Sequence, residues 1–162
     1  SQLTHLFTPL VVGDLNLSHR VVLAPLTRLR STQPGDIPNA LNAEYYAQRA
    51  SPGGLLISEA TQISLLGKGY PAAPGIHSQE QIEGWKQITN IVHQRGAHMF
   101  LQLWHVGRIS HSSLHPETGL PVAPSAIAPN DGAKALTADF QQVPFETPRA
   151  IELDELPSII AE

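Results

Sequence analysis

The sequence contains no cysteine, which excludes a disulfide framework and any thiolate chemistry. That absence fits a reducing compartment, and a cytoplasmic location is the expectation. Basic residues are few: 10 Lys and Arg stand against 14 Asp and Glu, for a formal net charge of −4. A nucleic-acid backbone or an anionic membrane surface is therefore not the expected partner. No apolar run approaches the ~20 residues of a membrane span. The opening SQLTHLF has no basic region followed by an apolar one, so no secretory signal is read there. GxGxxG, Walker A and GxSxG are all missing, and Gly53-Gly54 precedes an apolar run instead of following one, unlike a dinucleotide fingerprint. Among the histidines, His98, His105, His111 and His115 come with no HExxH, no cysteine and no carboxylate at a ligand spacing. They read as structural or surface groups and no metal is expected, with His105 set apart because it follows a strand end.

What is present is a chain of 162 residues, 41% apolar, enough for one domain with a core. It is organised around Arg20–Arg30, RVVLAPLTRLR. Arg20–Ala24 has strand character, and Pro25, which has no N–H to donate, ends the strand. Leu26, Thr27 and Arg28 then emerge at its C-terminal end, where ligands bind in barrels and open α/β sheets. Taken by itself, the stretch reads first as a buried strand followed by a turn.

Ahead of it, Leu3–Leu17 reads as a hairpin around Gly13-Asp14. Behind it the pattern predicts a helix over Ala40–Ala50 with Leu41, Tyr45, Ala47 and Gln48 at near-helical spacing, and a strand at Leu55–Ser58 that runs out into Glu59-Ala60-Thr61. A second helix is capped by Ser78 with Gln81 in a capping box, carries the stripe Ile82, Trp85, Ile88 and Val92, and closes at Gly96. A third strand spans Ala97–Leu103, followed by Trp104. Residues 108–148 form a long Pro- and Gly-rich excursion with room for a small hairpin at Lys134–Val143, and a helix is expected to begin near Leu153. The order hairpin, β, α, β, α, β predicts a parallel α/β fold. A complete eightfold barrel needs about 250 residues, so residues 1–162 read as one interrupted unit, the N-terminal portion of a larger domain.

Three predicted strand ends converge: Pro25-Leu26-Thr27, Glu59-Ala60-Thr61 and Gln102-Leu103-Trp104. They offer backbone amides, a hydroxyl, a small residue, a carboxamide and an indole. That set suits a flat heteroaromatic ligand with hydrogen-bonding edges, such as an isoalloxazine, without selecting it.

The literal strings RVVLAPLTR, YYAQRASPGGLLISEAT, GYPAAPGIHSQEQIEGWK, LQLWHVGRISH, PVAPSAI and TPRAIELDELP closely resemble the Old Yellow Enzyme family. Those are flavin-dependent ene-reductases that include plant oxophytodienoate reductases and bacterial N-ethylmaleimide-type reductases. The resemblance implies a (βα)8 TIM barrel of which this chain is the N-terminal part, with a hairpin and about three βα units. It implies FMN as cofactor, NADPH or NADH as reductant, and an electrophilic alkene as substrate: an α,β-unsaturated carbonyl, a nitroalkene or a maleimide. The alkene would be reduced by hydride transfer from FMN N5. By the same resemblance, Pro25, Leu26 and Thr27 hold the flavin edge, with the Thr27 hydroxyl tuning the flavin. Ala60 packs against it, Gln102 bonds its pyrimidine side, and Tyr70 and Trp104 line the substrate pocket. Arg28 either orders the flavin loop or is a solvated charge. Gln142 stands where some bacterial members have an arginine. The family's His-x-x-Asn or His-x-x-His pair, its tyrosine proton donor and its flavin- and phosphate-binding arginines have no counterpart in residues 1–162. A complementary C-terminal half is therefore the expected partner. The alternatives are a non-catalytic piece of a split or nicked barrel, or a flavin- or ligand-binding module.

Overall fold

A computed structural model describes residues 4–130 and 132–162; Leu3, where the expected hairpin begins, lies outside them. The hairpin is β1 (Leu10–Val12) and β2 (Leu15–Leu17), antiparallel with Leu10 opposite Leu17. The two-residue connection Gly13-Asp14 places Gly13 at φ +56°, a backbone region where glycine meets no Cβ penalty.

Next comes β3 (Val22–Leu23), shorter than the expected Arg20–Ala24. Arg20 gives its N–H to the Leu6 carbonyl, and Val22 already pairs with Leu55, the first residue of the neighbouring strand. Residues 20 and 21 have no ladder partner on that side, and Pro25 closes the other end. Helix α1 (Ala40–Ala47) starts at Asn39, whose side chain accepts the N–H groups of Leu41 and Asn42 while Asn42 returns a bond to the Asn39 N–H. It stops before the expected Ala50: the last turn tightens, with the Arg49 N–H bonded to the Tyr46 carbonyl and the Ala50 N–H shared between Tyr46 and Ala47, two residues ahead of Pro52. Its inward face also differs from the expected stripe. Leu41 is 51% exposed, whereas Asn42, Ala43, Tyr46 and Ala47 are buried.

Strand β4 (Leu55–Gln62) runs four residues beyond the expected Ser58, so Glu59, Ala60 and Thr61 are strand rather than loop. Helix α2 (Gln79–Gln94) has the Ser78/Gln81 capping box and ends at Arg95 before Gly96, at φ +72°. Gly84 lets it approach α1, since a Cβ there would lie 2.5 Å from the Pro38 carbonyl. Strand β5 (His98–Trp104) completes a parallel three-stranded sheet of order β3-β4-β5. Both helices cover one face. Ala43 and Tyr46 of α1, Leu56 of β4, and Trp85, Ile88 and Val92 of α2 form the core. Ile88 and Val92 are fully buried, each contributing about 1.5–3 kcal/mol by leaving water.

Residues 108–148 hold a 3-10 turn at Ser112–Leu114, β6 (Val122–Ala123), and the hairpin β7 (Lys134–Leu136) with β8 (Gln142–Pro144). Strand β9 (Arg149–Ala150) returns to pair in parallel with β6, which ties the far end of the excursion to its middle. Helix α3 (Leu156–Ala161) begins three residues after the expected Leu153 and has no side-chain cap. No helix among the described residues is long and apolar enough to cross a membrane.

Candidate functional site

Adjacent strands place the expected residues together. β4 carries one extra residue between Ile57 and Ala60, and the register changes there, so Ala60 faces Gln102 and Gln62 faces Trp104. Without that bulge Gln102 would oppose Glu59. The Ser58 hydroxyl sustains the irregularity: its oxygen accepts the Gln102 N–H at 2.9 Å while its hydrogen goes to the Glu59 carbonyl at 2.8 Å. Bulges of this kind re-aim side chains next to functional sites. Ala60 is buried, and Gln102 is exposed.

On the other side of β4, the loop after β3 is fastened to Glu59. One carboxylate oxygen accepts the Arg28 N–H at 2.9 Å. The other faces the Tyr46 hydroxyl and Asn42 amide, each at 3.4 Å, and the Tyr46 oxygen accepts the Glu59 N–H at 2.8 Å. Glu59 is only 1% exposed. Burial pushes its carboxyl above the usual range, and the N–H groups of Arg28 and Leu29 together with the Tyr46 hydroxyl pull it back in part. Burial, then the Glu59 charge, drive the Tyr46 phenol upward as well. Pro25 is half-buried, while Leu26 and Thr27 remain exposed beside this anchor. The Arg28 guanidinium lies 5.1 Å from the centre of the Tyr45 ring, on α1 rather than at the strand ends. The bond that fastens the loop to Glu59 comes from the Arg28 backbone N–H and not from its charged side chain.

Tyr70 and Trp104 stack with ring centroids 5.7 Å apart and planes 18° apart. The Trp104 indole N–H is buried without a partner, an orphan donor in the expected pocket wall. The loop that carries Tyr70 is pinned from below. Asp36 accepts Lys68 Nζ at 2.6 Å, Gln62 Nε2 at 2.9 Å and Gln33 Nε2 at 2.7 Å. The Lys68 carbonyl accepts the Ser110 hydroxyl at 2.7 Å, and His115 Nε2 donates to the Ser110 oxygen at 2.8 Å. Three loops are joined in this way. His115 is buried, which pushes it below the usual histidine range. His111 lies near Glu146, and the Glu146 carboxylate accepts the Ser112 N–H and hydroxyl. His105 Nδ1 accepts the Gly107 N–H. Gln142 is exposed on β8.

A groove of about 760 Å³ opens past the C-terminal end of β4, lined in part by Ile63, Leu65, His77 and Leu103. Its lining does not include Thr27, Ala60 or Gln102; Thr27 and Gln102 are exposed at their strand ends, and Ala60 is buried. The exposed donors are the Thr27 hydroxyl and the Gln102 carboxamide, with the small Ala60 opposite Gln102 and the buried, unpartnered Trp104 indole two residues further along β5. They fit a planar ring with acceptors along its edge.

Sequence reasoning placed Glu59 at a strand end without giving it a role, and missed Ser58 and the Asp36–Lys68 pair. Glu59 carried a usable signal: an acid inside the apolar run LLISEAT must find partners if it is buried.

The family model described as NADH:flavin oxidoreductase / NADH oxidase matches residues 5–161. Among curated relatives, 12-oxophytodienoate reductase 1 of Oryza sativa subsp. japonica is 48% identical over 155 residues, covering 96% of this chain and 38% of that protein. Flavin oxidoreductase hxnT of Emericella nidulans is 50% identical over 167 residues, covering 100% and 41%. Among solved structures, morphinone reductase in complex with tetrahydroNAD superposes with a TM-score of 0.86 at 48% identity, covering 96% of this chain and 43% of that one. The old yellow enzyme homologue from Zymomonas mobilis gives 0.86 at 46% identity, covering 96% and 42%. The chain thus spans about two-fifths of the length of the relatives it matches.

Proposed function

Because the chain belongs to the NADH:flavin oxidoreductase / NADH oxidase family, we propose that it forms the first part of a (βα)8 barrel that binds FMN across its strand ends. The barrel reduces the activated C=C bond of α,β-unsaturated carbonyls, nitroalkenes or maleimides at the expense of NADPH or NADH. The observation that carries this reading is the register pairing of Ala60 with Gln102, with the Thr27–Arg28 loop fixed to the adjacent Glu59. Three strand ends that are far apart in sequence meet at one edge of one sheet.

Bound FMN supplies a two-electron hydride carrier. Pro25, Leu26 and the Thr27 hydroxyl would hold the ring edge, Gln102 would bond its pyrimidine side, and Ala60 would pack against it. Tyr70 and Trp104 would line the substrate pocket, where they would exclude water and orient the alkene. The remaining strands, a complementary C-terminal part, provide the pair that polarises the alkene's activating oxygen, the proton donor, and the arginines that grip ring and phosphate. By itself, residues 1–162 form one wall of the site and do not turn over.

The test is anaerobic reduction of 2-cyclohexenone with NADPH and with NADH by the complete barrel, with and without FMN. FMN-dependent loss of the enone supports the reading. A complete, FMN-loaded protein that leaves enones, nitroalkenes and maleimides untouched contradicts it.

A further inference from the structure

We propose that Glu59 is a positioning residue that holds the Thr27 hydroxyl in place relative to Ala60 and Gln102, an inference that rests on the flavin reading above. The loop after β3 does not take its shape from local preference. Leu29 sits at φ +54°, a left-handed conformation that is costly for a residue with a Cβ. Something outside the loop must impose it. Glu59 does so from β4, where its buried carboxylate accepts the Arg28 N–H at 2.9 Å and faces the Leu29 N–H. A charge-assisted bond from a buried carboxylate is among the stronger restraints a backbone amide can receive. The anchor is itself rigid. Tyr46 and Asn42 hold its second oxygen, and Tyr46 also receives its N–H. The next residue along β4, Ala60, is the register partner of Gln102. One side chain therefore ties the first strand end to the shared edge of the other two. Glu59 touches no reacting atom and acts through Thr27.

The rival role is that of a core acid that merely glues α1 to β4. A double-mutant cycle in the complete FMN-loaded barrel separates the two. Thr27→Ala should shift the two-electron reduction equilibrium of the flavin about five-fold, the size of one net hydrogen bond of about 1 kcal/mol. In an E59A background the same change should shift it little. In an E59Q background, where the amide oxygen still accepts the loop N–H groups, the five-fold effect should return. An equal Thr27→Ala shift in all three backgrounds overturns the proposal.

Amide hydrogen exchange of the cofactor-free protein gives a second readout. E59A should speed exchange at Arg28 and Leu29 while α1 and β4 keep their protection. Unchanged exchange at Arg28 and Leu29 overturns the proposal, as does protection lost evenly across α1, β4 and the loop. A native protein that fails to bind FMN, or that shows no Thr27→Ala effect, contradicts the functional reading instead, and the exchange arm then decides whether Glu59 orders the loop.

Discussion

Tyr70 lies parallel to Trp104, ring on ring at 5.7 Å and 18°, although one belongs to the loop after β4 and the other ends β5. The stack joins two strand ends from above as the Ala60–Gln102 pairing joins them within the sheet. It also sets the buried indole N–H of Trp104 in the proposed pocket wall.

Trp104→Ala should therefore loosen alkene binding more than cofactor binding. Each methylene-sized contact with the alkene that goes with the indole is worth about 0.8 kcal/mol, so kcat/KM should fall at least about four-fold, carried mainly by KM. Steady-state kinetics on the complete FMN-loaded barrel, with FMN affinity measured in parallel, check it. An unchanged KM for cyclohexenone places Trp104 outside the pocket.

Tyr46→Phe removes a hydroxyl that serves Glu59 twice, as acceptor for its N–H and as neighbour of its carboxylate. A buried donor left unpaired costs about 1–3 kcal/mol, so the urea midpoint should fall accordingly. The Glu59 carboxyl should also rise further, since the phenol is one of the groups that lowers it. Equal midpoints for native and variant protein refute the accounting.

The hairpin, the Ser78 cap with its Trp85–Ile88–Val92 stripe, and the third strand are all legible in the sequence, because each rests on local signals: turn residues, a capping pair, a 3.6-residue period. The ends of β3 and β5 are legible to within a residue for the same reason. The inward face of α1 is not, because Asn42 and Tyr46 turn inward only where Glu59 waits for them on another strand. Nor is the reach of β4 to Gln62, which depends on a bulge that Ser58 sustains from 44 residues before its partner. Asp36 and Lys68, 32 residues apart, read as surface charges until the loops that bear them are brought together.

The Asp36–Lys68–Ser110–His115 chain predicts a pH dependence. Burial holds His115 below the usual histidine range, and a neighbouring lysine charge, Lys68, and His105 add to the depression. The folded state then binds fewer protons than the unfolded one as pH falls through about 6.5, so stability present above that pH is lost on acidification toward the depressed value. His77 shifts in the same direction, mainly through burial, so a single variant removes only part of the effect. Urea midpoints at about pH 7.5 and about pH 5.5 should differ less in His115→Gln than in the native protein. An identical drop in both locates the proton uptake elsewhere.

FMN titration, followed by absorbance and by quenching of flavin fluorescence, tests most directly whether this chain builds one wall of a shared flavin site. Residues 1–162 alone should bind FMN weakly or not at all, since Thr27, Ala60 and Gln102 offer edge contacts but no grip on the phosphate. Adding the complementary part of the barrel should yield a saturable yellow complex, and Gln102→Ala should weaken it. Tight FMN binding by residues 1–162 alone contradicts the account, and so does a complemented barrel whose FMN affinity is indifferent to Gln102.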